Sequence, residues 1–275
     1  MDSKAASSGE GGVVEREEAE GTLVLTLGYD GAGLAGFQRQ AGLATVQGRL
    51  EEALAVVLRR EVSLECAGRT DAGVHALGQV VSLPASGDDP DPASIVRSLN
   101  ALLGPGIVVS GACRAAAGFS ARHDAEAREY RYRLVPGPVP PLFLAGRAWW
   151  VKGGLDLGAM REGAHHLLGE HDFRSFCVTE SAAGKRTVRE IETLDVGPAQ
   201  EMGEHCVVVR VVGRSFLHSM VRIIVGTLVE VGRGRRPAAW VGEALAASER
   251  AAAGPTAPPH GLVLWHVRYP EEPWL

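Results

Sequence analysis

The run Pro136-Gly137-Pro138-Val139-Pro140-Pro141 constrains this chain more than any other stretch. Four prolines and a glycine in six residues remove most backbone donors, so neither a helix nor a central strand passes through. The run divides the chain near its middle, and each side mixes strand and helix patterns. In residues 21–135, Leu23 to Leu27, 62–66, 79–83, 107–109 and 129–135 read as strands. Residues 45–60 and 93–103 read as helices, the first with Val46, Leu50, Ala53, Leu54 and Val57 facing inward. In residues 136–275, helices are expected over 156–168, 216–231 and 237–248, and strands over 187–196, 205–212 and 262–269. Such mixtures predict an α+β fold with two similar domains, each an antiparallel sheet covered by helices. Residues 1–20 are small, polar and acidic, and are expected to form a disordered tail.

No apolar run approaches the roughly 20 residues needed to span a bilayer. No basic segment followed by an apolar one opens the chain, so no secretory signal is expected. Cys66, Cys113, Cys177 and Cys206 are widely spaced, without paired metal-type spacing, and fit reduced thiols in a cytoplasm. The net charge of −5 is unevenly placed. Residues 1–20 hold six acids against Lys4 and Arg16, which leaves the remainder close to neutral. Residues 210–236 hold six arginines and one acid, Glu230. A local basic field of that kind suits phosphate binding whatever the whole-chain charge.

Chemistry concentrates in Gly68-Arg69-Thr70-Asp71-Ala72-Gly73-Val74-His75-Ala76. Val62, Leu64 and Cys66 share one face of the preceding strand, which breaks at Gly68. Asp71 then falls in a glycine-flanked turn, where backbone or ligand can come close to the carboxylate. Thr-Asp before a helical turn is also a common helix cap, so the residues alone leave capping and catalysis both open.

Further blocks run in order along nearly the whole chain. They are Tyr29-Asp30-Gly31 with Gly36 to Gln40, Thr45-Val46-Gln47-Gly48, Phe119 to Arg122, and Arg128 to Tyr132. Leu168 to Phe173, Phe216 to Arg222, and Gly261-Leu262 through Tyr269 complete the series. Taken together, these blocks resemble the TruA-type tRNA pseudouridine synthases. Three details depart from that pattern: Phe37 after Gly36, Gly213-Arg214-Ser215 before Phe216, and the Leu103 to Ile107 turn.

The resemblance implies two halves packed about a central catalytic cleft, a homodimer, and a tRNA substrate bound through its anticodon stem-loop, with uridines 38, 39 and 40 as targets. It implies Asp71 as nucleophile, Arg222 as its charge partner, and Tyr130 as the ring that stacks on the uracil and helps handle the C5 proton. Arg69 would fill the stack vacated by a flipped uridine. Arg39, Arg122, Arg210 and Arg214 are further phosphate candidates. The isomerisation moves C1′ from N1 to C5 with no redox change or net hydrolysis, so neither cofactor nor metal is required.

The pattern of residues agrees with part of this. On a helix starting near Ser215, His218, Arg222 and Gly226 share one stripe at i, i+4, i+8. Tyr130 and Tyr132 alternate with Arg131 and Arg133, which also describes an ordinary half-buried strand. Two rival readings exist. His165, His166, Glu170, His171 and Asp172 form a ligand-rich stretch that would suit a metal-dependent hydrolase. A non-catalytic RNA-binding module would keep the fold alone, although Asp71, Tyr130 and Arg222 are all present.

Overall fold

The computed structural model describes residues 21–182 and 184–271; the expected acidic tail, residues 1–20, lies outside them. The elements run β1 (Thr22–Tyr29), α1 (Val46–Leu58), β2 (Glu65–Cys66), β3 (His75–Pro84), α2 (Pro92–Leu103), β4 (Ile107–Ala115), β5 (Ala127–Pro136) and β6 (Trp149–Val151). They continue with α3 (Leu157–His165), β7 (Gly169–Asp172), α4 (Thr179–Ala182), β8 (Val188–Glu201), β9 (Glu204–Gly213), α5 (Met220–Gly232), α6 (Trp240–Ala247) and β10 (Leu262–Arg268). The α+β expectation holds.

Helix starts follow from side chains that satisfy the first free amides. Thr45 accepts from Gly48 N–H, Asp91 from Ser94 N–H and Asp156 from Ala159 N–H. The apolar stripe of α1 is buried through Leu50 and Leu54, and that of α2 through Ile95 and Leu99.

Among the described residues the strands form one ten-stranded sheet, in the order β4-β1-β3-β10-β5-β9-β8-β7, with β2 against β3 and β6 against β5. It is mixed rather than purely antiparallel: β10 runs parallel to β3, and β6 parallel to β5. The last strand of the chain thus lies between two strands from before the proline run. Val263 faces His75 on one side, and Leu264 faces Tyr130 on the other.

Several expected bounds shift, each for a local reason. Strand β3 begins at His75 rather than 79, because Gly78 continues it instead of breaking it. A Cβ on Gly78 would lie 2.5 Å from the Trp265 carbonyl oxygen, so the glycine admits β10. Only Glu65–Cys66 of the expected strand 62–66 pairs. Helix α5 starts at Met220, not near Ser215, since Ser219 adopts φ 58° and Met220 N–H closes a turn on the Leu217 carbonyl. His218 therefore precedes the helix, and only Arg222 and Gly226 of the expected stripe lie on it.

Helix α5 is buried on nearly all sides, with Ile223, Ile224, Val225, Leu228 and Val229 inaccessible. Its apolar surface is the hallmark of a central helix. The segment 254–257 crosses it so closely that a Cβ on Gly226 would lie 1.7 Å from the Pro255 carbonyl oxygen. We therefore expect Gly226→Ala to displace that crossing and lower stability by about 1–3 kcal/mol despite alanine's better helix propensity. Denaturant midpoints of the two proteins check this; an unchanged or raised midpoint would contradict the close packing.

Candidate active site

Sheet order brings the expected groups together. Asp71 lies in the turn that feeds β3, Tyr130 lies on β5, and β10 alone separates those strands. Strand β9 pairs with β5, and the chain leaving it at Gly213 turns into α5, which carries Arg222. No helix follows Asp71, so capping is not its role. Its carbonyl instead accepts from Val74 N–H at 3.1 Å, closing a turn in which Gly73 takes φ 78°. Behind the turn, Phe37 N–H donates to the Thr70 carbonyl at 3.0 Å. Gly36, at φ 93°, lets that segment sit against residues 70–72, where a Cβ would come within 2.9 Å of the Thr70 carbonyl oxygen.

The Asp71 carboxylate meets three side chains from one short segment. Arg222 Nη1 and Ser219 Oγ both donate to Oδ2 at 2.8 Å, and His218 Nε2 stands 3.5 Å from Oδ1. Arg222 is itself aimed by a bond from Nε to the Ala257 carbonyl at 2.9 Å. Both members of the ion pair are partly buried, which makes their attraction stronger than that of an exposed pair.

Tyr130 is buried, and the Phe216 ring meets it edge-on at 5.2 Å. Its hydroxyl lies near Gly68, where a Cβ would stand 3.4 Å away. Burial pushes the phenol's pKa well above its ordinary value; the Arg128 guanidinium opposes this and the Asp71 charge adds to it. Tyr130 is therefore a neutral phenol at physiological pH. Tyr132 is core: its ring packs against Gly261 and its hydroxyl donates to the Pro258 carbonyl at 2.8 Å.

These groups open into a cleft of about 860 Å³. Arg69, Arg122, Arg128, Lys185, Arg189 and Arg214 line it, and Asp71 is its only lining carboxylate among the described residues. The remaining arginine candidates are elsewhere. Arg39 pairs with the buried Glu51 at 3.1 Å, and Arg210 pairs with Glu129 and Asp195. The His-rich stretch does not converge either. His171 Nε2 lies 2.8 Å from the Leu168 carbonyl, Asp172 accepts from Arg174 N–H, and Gly242 packs on the His166 ring. Among the described residues, no three His, Cys, Asp or Glu side chains are grouped to hold a metal.

The structure adds two residues to the site. Ser219 was legible only as a member of the Phe216 to Arg222 block, because its backbone turn is set by the packing around it. Arg128 was legible only as part of a motif; its buried guanidinium donates to the carbonyls of Ala67, Arg122, Ala125 and Arg214. It ties three cleft-wall segments to β5.

A family model described as tRNA pseudouridine synthase matches residues 164–270. A tRNA pseudouridine synthase A from Ralstonia nicotianae is 46% identical over 253 residues, covering 90% of each chain. The chain belongs to this family. Its resemblance to other members of the tRNA pseudouridine synthase A family is similarly extended. The Burkholderia mallei enzyme is 43% identical over 250 residues, covering 91% of this chain and 90% of its own, and that of Leptospira biflexa is 39% identical over 251 residues, covering 90% and 94%. Membership makes the chain an isomerase, and the long alignments run through both the Asp71 turn and helix α5.

Loss of the Arg128 fork should be costly, since four wall carbonyls would lose a charged donor. We expect Arg128→Leu to lower stability by about 3 kcal/mol or more, and Arg128→Lys to recover only part of it, because an ammonium lacks the planar fork. Equilibrium unfolding in urea checks both; full recovery by lysine would show that charge alone, not fork geometry, holds the wall.

Proposed function

We propose that this tRNA pseudouridine synthase isomerises uridines 38, 39 and 40 of the tRNA anticodon stem-loop, with Asp71 as nucleophile acting on a flipped base. The observation that carries this reading is a single carboxylate, paired to Arg222, in a cleft whose other charged walls are cationic. The cations attract the phosphate backbone, while the lone acid supplies the reactive group.

Asp71 lies inside the cleft wall, so a stacked uridine must leave its helix to reach it, at a cost of a few kcal/mol. Arg69 is exposed on the rim, three residues from Cys66 and two from Asp71, where its guanidinium plane can occupy the vacated stack. Arg122 and Arg214 contact phosphates from the facing walls. Arg39 retains, in this reading, an outer electrostatic part only, since it is already paired.

The Asp71 carboxylate forms a bond to carbon while uracil keeps the displaced electron pair. Attack at C1′ releases the N1–C1′ pair into the ring; attack at C6 moves the C5=C6 pair onto O4. In either course C1′ ends on C5, the C5 proton is lost, N1 gains a proton and the carboxylate is regenerated. Arg222 holds the Asp71 carboxylate in place through their ion pair at 2.8 Å. Tyr130 packs its ring on the uracil. Being a neutral phenol, it takes the C5 proton only while passing its own hydroxyl proton onward.

The two-unit reading assigns Asp71 and Tyr130 to residues 21–135 and Arg222 to the second half, with the cleft between them. A homodimer is supported by the exposed apolar Val139, Leu142 and Phe143, in a loop whose 142–144 amides the Glu204 carboxylate holds. Four free cysteines agree with a reducing cytoplasm. No helix among the described residues is long and apolar enough to cross a membrane.

The test is tritium release from tRNA whose uridines are labelled at C5. Asp71→Asn keeps the shape of the side chain without its nucleophilicity, so it should bind tRNA and release no tritium above background. Release at the wild-type rate from this variant would remove Asp71 from the role.

A further inference from the structure

The two oxygens of the Asp71 carboxylate are held differently. Oδ2 accepts two hydrogen bonds, from Ser219 Oγ and Arg222 Nη1, each 2.8 Å long. Oδ1 accepts none among the described residues; His218 Nε2, at 3.5 Å, stands beyond ordinary N–H···O range. An oxygen whose lone pairs are already engaged attacks carbon less readily than one that is free.

Ser219 carries two further marks. Its backbone has φ 58° and ψ 12°, a left-handed conformation uncommon outside glycine, asparagine and aspartate. It also stands at the N-cap of α5, where a serine hydroxyl ordinarily bonds to the first amides. Here it makes no cap bond. The hydroxyl points across to Asp71, so a strained backbone and a forgone cap coincide at the residue that touches the carboxylate.

We propose that Ser219 is a positioning residue for the nucleophile: with Arg222 it engages Oδ2 and leaves Oδ1 as the oxygen that attacks the uridine. The inference rests on Asp71 being the nucleophile. In the step itself, an Oδ1 lone pair forms the new O–C bond and the displaced pair remains on the uracil, as described above. The carboxylate charge is consumed, Oδ1 becomes the ester oxygen, and Oδ2 becomes the carbonyl. Oδ2 then still accepts from Ser219 and Arg222, so neither donor is displaced as the bond forms. Attack through Oδ2 would bring the substrate carbon into the space of two donors.

Three proteins separate the hydroxyl from the backbone. Ser219→Gly accepts the left-handed conformation without strain but has no donor. Ser219→Asn tolerates that conformation and offers an amide N–H. Wild type is the reference, and kcat and KM are measured on tRNA by tritium release, with thermal melting alongside. Loss of a hydrogen bond to a charged group should lower kcat about tenfold to a hundredfold in Ser219→Gly. KM should stay within about twofold and Tm should not fall, because the strain is relieved. Ser219→Asn should regain most of the lost kcat. Wild-type kcat in Ser219→Gly would overturn the proposal, as would a Ser219→Asn protein that melts normally, binds tRNA and is no faster than the glycine variant. A KM rise alone would also overturn it, by assigning Ser219 to RNA binding. These results are separable from the identity of the nucleophile, which Asp71→Asn tests independently.

Discussion

One charged contact organises this molecule. The Asp71 carboxylate and the Arg222 guanidinium, 151 positions apart in sequence, meet at 2.8 Å. Each is set by a different part of the chain. Asp71 is fixed by a four-residue turn backed by residues 34–37, and Arg222 by a buried helix and the segment that crosses it. Either charge, partly buried without a partner, would lack compensation for its lost hydration. The pair compensates both charges, and β10, lying between β3 and β5, sets the spacing across which they meet.

Charge distribution follows the same economy. The whole chain is acidic, yet the cleft around Asp71 is walled by cations, and several other arginines are tied up elsewhere in ion pairs. Arg133 is bound to Glu201, and Arg131 lies over the Trp265 ring while pairing with Glu129. The arginines that line the cleft, Arg69, Arg122 and Arg214 among them, have no carboxylate partner among the described residues, and net charge says little about this face. Burial acts beside charge: it holds Tyr130 as a phenol near the Asp71 carboxylate.

The local signals were largely readable in the sequence, and the non-local ones were not. Thr45 and Asp91 begin helices α1 and α2 as capping chemistry predicts, and Tyr130 and Tyr132 share a buried face as alternation predicts. Arg222 and Asp71 were legible as motif residues, and the structure sets them together. Misread bounds have physical sources. A strand drawn from Gln79 passed over Gly78, where another strand's backbone approaches, and a phase drawn from Ser215 through α5 missed the left-handed turn at Ser219. That turn sits against Asp71, far away in sequence, and no local pattern reports it. The placement of β10 is of the same kind, since an apolar strand pattern does not say which neighbours it will find. Arg39, an arginine in a recognisable block, has a pairing with Glu51 that no local pattern reports.

The most direct measurement is to identify the atom that becomes bonded to RNA. The protein would be incubated with tRNA carrying 5-fluorouridine in place of uridine, where fluorine prevents the final proton loss from C5, then quenched, digested and mapped by mass spectrometry. The account predicts, for attack at C6, a nucleotide adduct on the peptide that contains Asp71 and, for attack at C1′, a rearranged 5-fluoro nucleotide with the carboxylate free; either is absent when that residue is asparagine. An adduct on a different carboxylate, or one that persists unchanged in the asparagine variant, would contradict it.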